Sequence, residues 1–389
     1  MSAPQRVALV HDWLTGMRGG ERVLERVARC FPDADLHTLV WRRGAVSAEI
    51  ERHRIRTSFL DRLPAADTYY RWLLPLFPYA IESLDLSRYD AVVSISHAVA
   101  KGVRTRPGVP HVSIVLTPMR YVWDLEDQYF PRERFPWPVS AYVRRVCARL
   151  RRWDRDTASR PSQLVAISRY VAERIRRNWG RESTVVFPHV DVERFTPVVG
   201  ERSYYLLAGA FAPYKRLDLA LEGFARLQRP LVVVGGGQEE ARLHELAPRG
   251  TEFRGGVSDA ELARIMAGAR ALIFPGEEDF GIMPLEAMAS GTPVIAFGRG
   301  GAVETVGRGA SPEALAKVAT GGIARVPGGM LFGTQTADGV AAAVRAFELE
   351  KFSPSELAAL ARPFSGERFD AEIRAVFAAA GISVARAGA

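Results

Sequence analysis

Two doubly wound α/β domains are the fold this sequence predicts, and three observations predict it. Short β-branched runs alternate with longer helical patterns, in two successive series. The runs are continuously apolar instead of alternating, which marks strands of a parallel sheet covered on both faces. At 389 residues the chain exceeds one ordinary core and suits two.

The first series places strands at Arg6–Asp12, Asp35–Val40, Asp90–Ser96, His111–Thr117, Gln163–Ser168 and Ser183–Pro188. The second places them at Tyr204–Ala210, Leu231–Gly237, Thr251–Gly256, Ala269–Pro275 and Thr292–Phe297. Between the series, Pro188 and Pro197 punctuate a stretch without strong periodicity, and the boundary is set near Val199. The expected domains are therefore 1–199 and 200–363, with a closing segment, 364–389. In such folds ligands gather at the carboxyl ends of the strands, and each motif below sits at one.

Composition narrows the class. Hydrophobic residues make up 48% and charged residues 25%, as in a foldable globular chain. Two cysteines, Cys30 and Cys147, cannot build a disulfide framework, so a reducing, cytoplasmic compartment is expected. The start carries no secretory pattern, and no apolar run approaches the ~18 residues a membrane-spanning helix needs. Trp72–Ile81 is the most apolar patch, but Pro75 and Pro78 break it; it suits lying on a membrane, not crossing one. The net charge is +8, and arginines recur from Arg132 to Arg181. That belt reads either as a solvated helix face or as a surface for anionic lipid. No DNA- or RNA-binding motif accompanies it, so nucleic acid is not an expected partner.

The first strand empties into a loop with Gly16, Gly19 and Gly20, followed by a helical pattern. The spacing is not that of a dinucleotide-binding fingerprint. The loop reads either as a tight turn or as a close backbone approach to a ligand.

Ala271–Gly301 is the most informative segment. A strand runs into a loop, Pro284 suits the first helical position, and Gly291 ends the helix. The amides of Phe280, Gly281, Ile282 and Met283 then lie at a helix start, unpaired and at the positive end of the dipole. That is an anion site. Glu278 and Glu286 frame it, and carboxylates beside a phosphate site suit vicinal hydroxyls of a ribose or hexose.

This block resembles the signature of family-4 retaining glycosyltransferases, in which two glutamates stand eight positions apart around "FG" and "EAMASGTPVIA" follows. The resemblance continues at "AGAFAPYKRLDLAL", "VVVGGGQE", "FRGGVSDAELARIMAGA", "GGAVETV" and "GGMLFGTQT", spanning most of the second half. "YKR" and "TPMRYVWDLEDQYF" are similar to the branch of O-antigen-type mannosyltransferases. The resemblance implies GT-B architecture, two Rossmann-like lobes facing a central cleft, with the acceptor in the first lobe and a nucleotide sugar in the second. "FSGERFDAEIRAVF" resembles the terminal segment that crosses back to the first lobe.

By position, the resemblance implies that Glu286 holds the donor's ribose hydroxyls and Glu278 a hydroxyl of the transferred sugar. Lys215 and the Phe280–Met283 amides neutralise the diphosphate, and the base lies around Arg254–Val257. Many relatives have an arginine directly after the strand's glycine, where this chain has Ala210. Arg216, or a residue of the other lobe, is the expected substitute. In the first lobe His97 contacts donor sugar or acceptor, while Gly19 and Gly20 approach the diphosphate and acceptor and Asp12 lies near the attacking hydroxyl. Arg120 and Asp124 are acceptor candidates.

The implied reaction is same-face substitution on a hexose, mannose from GDP-mannose first, with the departing phosphate oxygen taking the acceptor's proton. UDP-glucose or UDP-N-acetylglucosamine are the alternative donors. The acceptor is a glycan or a polyprenyl-diphosphate-linked glycan of surface polysaccharide synthesis, reached from an anionic membrane surface. No metal and no cofactor are expected, because the nucleotide sugar is a substrate. A nucleotide-sugar epimerase would be expected to lack the Glu278–Glu286 block, a non-catalytic sensor would not need it intact, and a dinucleotide oxidoreductase rests only on the opening glycines.

Overall fold

The computed structural model describes residues 5–130, 136–197, 200 and 202–385. Val199, Arg132 and Arg134 lie outside the described residues. The chain divides into two compact units, residues 1–188 with 367–389 and residues 189–366.

Unit one holds β1 (Val7–His11), β2 (Asp35–Thr38), β3 (Arg54–Thr57), β4 (Ala91–Ser96), β5 (His111–Val115), β6 (Gln163–Ala166) and β7 (Thr184–Val185). They form one sheet in the order β3-β2-β1-β4-β5-β6-β7, parallel at every pairing. β1, β4 and β5 are buried along their whole length, as their unbroken apolar runs require. β3 was not anticipated from the sequence. It reads Arg-Ile-Arg-Thr, alternating and half exposed, because it is an edge strand covered on one face only.

Three helices of this unit matter for the site. α1 (Gly19–Ala28) buries Val23, Leu24, Val27 and Ala28 on one stripe. α2 (Trp137–Thr157) buries Cys147, Leu150, Asp154 and Thr157, while Arg145, Arg149 and Arg152 face solvent. α3 (Arg169–Trp179) starts under a Ser168 cap and stops at Gly180, φ 66°.

Unit two holds β8 (Tyr204–Ala208), β9 (Leu231–Val234), β10 (Glu252–Phe253), β11 (Ala269–Phe274), β12 (Val294–Phe297), β13 (Ile323–Val326) and β14 (Gly329–Phe332). The order is β10-β9-β8-β11-β12-β14-β13. All pairings are parallel except β13 with β14, an antiparallel hairpin that the sequence reading lacked. Its four-residue strands are flanked by glycines and joined through Pro327 and Gly328, so no long apolar run announces them. α4 (Leu217–Leu227) and α5 (Ile282–Ala289) belong to this unit.

The last helix, α6 (Gly366–Ala379), packs in unit one. Phe377 meets Phe31 with ring centroids 5.1 Å apart, and Arg26 makes a two-point contact with Asp370 at 2.8 and 2.9 Å.

Each sheet reverses its strand order once, between β1 and β4 in unit one and between β8 and β11 in unit two. Side chains just past the carboxyl ends of those four strands occupy the switch points at which doubly wound sheets bind ligands.

Candidate functional site

In unit two the strand β11 ends at Phe274, and the loop after it turns into α5 at Gly281, whose φ of 99° only glycine adopts without strain. The helix begins at Ile282, so Pro284 is its third residue and not its first. Proline is still tolerated there, because first-turn N–H groups have no helical acceptor to lose. The amides of Ile282 and Met283 open the helix, as expected from the sequence. At the far end Gly291 takes φ 71° and closes α5, with Thr292 N donating to Ala287 O at 2.8 Å.

Lys215 and Glu278, 63 positions apart, are brought together: Lys215 Nζ lies 2.5 Å from Glu278 Oε1. Their side chains keep 15% and 18% of their surface exposed, so the pair is sheltered and still accessible. Gly276 makes that approach feasible. A Cβ on Gly276 would lie 2.9 Å from the Lys215 backbone, and one on Gly209 would point at Lys215 Nζ and Met283. The Glu278 carbonyl is fixed from behind by Gly301 N at 2.7 Å. Glu286 sits on α5 and is 7% exposed; Phe280 beside it is 3% exposed.

Arg216, expected to stand in for the arginine missing at Ala210, is instead held by Asp218, Nε to Oδ1 at 3.1 Å and the second nitrogen to Oδ2 at 3.3 Å. The residue caps α4 in a left-handed conformation, φ 51°.

Unit one corrects more of the sequence reading. Asp12 is fully buried. Its two oxygens accept the backbone N–H groups of His97, Ala98, Val99 and Ala100 at 2.7, 2.9, 2.6 and 2.7 Å. A carboxylate so committed has no lone pair to spare for an acceptor hydroxyl; it bolts the loop after β4 to the end of β1. His97 stands at that loop, Nδ1 3.1 Å from Asp12 Oδ2, with Trp13 edge-on at 4.3 Å. Burial holds the His97 imidazole below its ordinary pKa, against the opposing pull of Asp12.

Gly19 and Gly20 do not form an approaching loop. They are the first two residues of α1, and neither has positive φ. A Cβ on Gly20 would lie 2.8 Å from Leu116 Cδ1, so any larger residue there would require that side chain to turn. Asp124 is engaged by arginines of a neighbouring helix and keeps 27% of its side chain exposed. It is gripped by Arg174, Nε to Oδ2 at 2.8 Å, and by Arg177. Arg174 is itself buried and also donates to Thr117 Oγ1 at 2.7 Å. Arg120 opens the helical turn Arg120–Trp123 and contributes to the field at His97.

Three polar groups escaped the sequence reading: His11, Glu21 and Lys101. His11 ends β1 and Glu21 occupies the first turn of α1; both are buried, Glu21 Oε1 3.7 Å from His11 Nε2. Lys101 is fully buried, 3.0 Å from Asp154 Oδ1, and it also donates to Thr157 Oγ1 at 2.9 Å. Asp154 in turn accepts from Trp123 and Trp179, each at 2.7 Å.

The apolar patch Trp72–Ile81 divides. Phe77, Pro78, Ala80 and Ile81 enter the core, while Trp72 is 82% and Tyr79 52% exposed. Trp137 and Tyr142 on α2 are 78% and 60% exposed, and Arg149 of α2 lies over the Tyr79 ring at 5.2 Å. An exposed aromatic and an exposed arginine of α2 are thus neighbours at Tyr79 and Arg149.

Residues 192–321, within unit two, match the family described as "Glycosyl transferases group 1". The D-inositol 3-phosphate glycosyltransferase of Streptomyces bingchenggensis is 32% identical over 174 residues, 36% of this chain and 38% of that protein. The GDP-mannose-dependent alpha-mannosyltransferase of Mycolicibacterium smegmatis is 32% identical over 162 residues, 39% of this chain and 41% of its own. This chain therefore spans about two fifths of the length of these relatives. A crystal structure of Anabaena Alr3699/HepE in complex with UDP superposes over 96% of this chain and 100% of that one, with a TM-score of 0.63 and 15% identity. The chain has the GT-B glycosyltransferase fold, with Rossmann-like units, and the match to the group 1 family falls within its second unit.

Proposed function

We propose that this protein is a retaining hexosyltransferase that takes mannose from GDP-mannose and passes it to a glycan or a polyprenyl-diphosphate-linked glycan in surface polysaccharide synthesis. The observation that carries the reading is the Lys215–Glu278 pair at the switch point of unit two, next to the amide-bearing start of α5. An ammonium held 2.5 Å from a carboxylate is pre-aimed and exchangeable. A diphosphate draws Lys215 toward itself, and the carboxylate it leaves accepts from a sugar hydroxyl. Glu286 takes the ribose hydroxyls, and the base rests around Arg254–Val257. As the sugar–phosphate bond breaks, Lys215 and the Ile282 and Met283 amides meet the growing negative charge, a preorganised stabilisation worth about 3 kcal/mol per donor. The acceptor hydroxyl attacks from the leaving-group side, and its proton passes to the departing phosphate oxygen. No cofactor and no metal enter this scheme.

The acceptor is reached at an anionic bilayer, on which Trp72, Tyr79, Trp137 and Tyr142 insert among the α2 arginines. The chain works from the cytoplasmic side as a peripheral protein; no described helix is long and apolar enough to cross a membrane.

The test is thermal denaturation with ligands. GDP is expected to raise the melting temperature, GDP-mannose to do so more than UDP-glucose or UDP-N-acetylglucosamine, and Glu286→Ala to remove the rise. Stabilisation by NAD and by no nucleoside diphosphate would sink the reading.

A further inference from the structure

The loop that carries Glu278 and leads into α5 is held from two sides. On one side lies the turn after β12. Gly301 N donates to Glu278 O at 2.7 Å, and a Cβ on Gly301 would lie 2.2 Å from Phe280 Cα and 2.1 Å from its carbonyl oxygen. Gly300, φ 65°, comes as near: a Cβ there would lie 2.3 Å from Glu278 O. Approaches that short to main chain leave no room for a side chain, so two stretches of backbone lie directly against each other.

On the other side lies Phe364, in the short helical turn Arg362–Phe364. Its ring is fully buried and meets the Phe280 ring edge-on, centroids 5.7 Å apart and planes at 61°. The Arg308 guanidinium lies over the same ring at 5.1 Å. The Phe364 carbonyl accepts Val190 N at 2.8 Å, a bond that joins residues near the two ends of unit two. Phe364, Ser365 and Gly366 therefore stay with unit two, and the return to unit one begins at Glu367 instead of Phe364. Phe280 precedes the Gly281 cap of α5. Gly281 has no Cβ to limit it, so the direction of the first helical amides depends on how firmly Phe280 is held. An edge-to-face pair fixes orientation as well as distance, because ring edge and ring face carry opposite partial charge.

We propose that Phe364 is a positioning residue for the donor's diphosphate: through the Phe280 ring it presses the loop from Glu278 to Gly281 against Gly300 and Gly301, and so aims the Ile282 and Met283 amides before a ligand arrives. This rests on the transferase reading above. Leucine at position 364 keeps most of the apolar bulk and loses the ring edge. The loop then samples other directions, and part of the binding free energy goes into ordering it.

The experiment is a double-mutant cycle on the full chain, with Phe280→Leu, Phe364→Leu and both together. Where F364L fails to melt cooperatively, F364M takes its place. Two quantities are read: the Kd for GDP, or for UDP where the wild type binds that instead, and the ligand-free hydrogen exchange of the peptide covering Glu278–Leu285. F364L is expected to weaken the nucleoside diphosphate about fivefold and to speed that exchange by about the same factor. The double variant is expected to bind no more weakly than F280L, because Phe364 acts through the Phe280 ring. Phe224→Leu is the control: it removes an equally buried ring on α4, paired with Tyr205 at 5.2 Å, and is expected to move neither quantity. Wild-type affinity and exchange in F364L overturn the proposal. Additive losses in the double variant, or an equal loss in F224L, reduce Phe364 to general packing and overturn it as well. A wild-type chain that binds neither GDP nor UDP defeats the transferase reading instead, and the ligand-free exchange still judges the hold of Phe364 on the loop.

Discussion

Each unit places a carboxylate at the switch point of its sheet, Asp12 past β1 and Glu278 past β11, and the two are engaged in opposite ways. Asp12 in unit one is fully buried and saturated by four backbone amides. Glu278 in unit two keeps 18% of its side chain exposed and has Lys215 as a movable partner. One topology thus supplies both a bolt and a latch. The chemistry is decided by whether the partner is main chain, which cannot leave, or a flexible ammonium, which a ligand can recruit.

The contrast is broken most severely by removing the latch. Lys215→Ala is expected to cut sugar transfer about 100-fold or more in kcat while leaving the urea midpoint within experimental scatter. A loss confined to KM would show that Lys215 only binds. Next comes the bolt: Asp12→Ala strands buried amides and is expected to cost about 3 kcal/mol or more in urea unfolding, whereas Glu278→Ala costs less than about 1 kcal/mol. Equal costs would erase the distinction between the two carboxylates.

Acid sharpens the same comparison. In unit one burial drives His37 down to about 4 and His111 to about 3. Both pKa values are depressed below that of an unfolded histidine, near 6.5, so the unfolded chain binds their protons more readily. Their linked stability is present above that value and drains as pH falls toward 4, by roughly 2 kcal/mol for each ring. Amide exchange between pH 6.5 and 4.5 is expected to open unit one before unit two, whose histidines are only His189 and His244. Simultaneous opening would contradict it. The smallest effect belongs to the surface: Trp72→Ala with Trp137→Ala is expected to weaken sedimentation with anionic vesicles about tenfold and to leave thermal stability unchanged. Undiminished sedimentation would remove those side chains from the docking surface.

The sequence was legible where structure is local. The loop from β11 into α5 could be read because its strand, glycine, proline and glutamates lie within a dozen positions and each has its own conformational reason. Lys215 was legible as a cation between a strand and a helix. Asp12, by contrast, was assigned to an acceptor because its true partners arrive 85 to 88 positions later. The partners of Asp124 lay equally out of reach of a local reading, with Arg174 and Arg177 one helix further along. Edge elements hid differently: β3 and the β13–β14 hairpin are short, half covered or glycine-flanked, so the rule of continuous apolar runs passes over them.

The return of α6 to unit one has a consequence for biosynthesis. Unit one is begun before unit two and completed after it, because the Arg26–Asp370 and Phe31–Phe377 contacts wait for 344 and 346 steps of chain growth. Unit two, continuous from 189 to 366, can close while unit one still lacks part of its covering. A nascent chain therefore carries an open flank beside α1 until α6 has emerged, and a chaperone that shields this protein would act there.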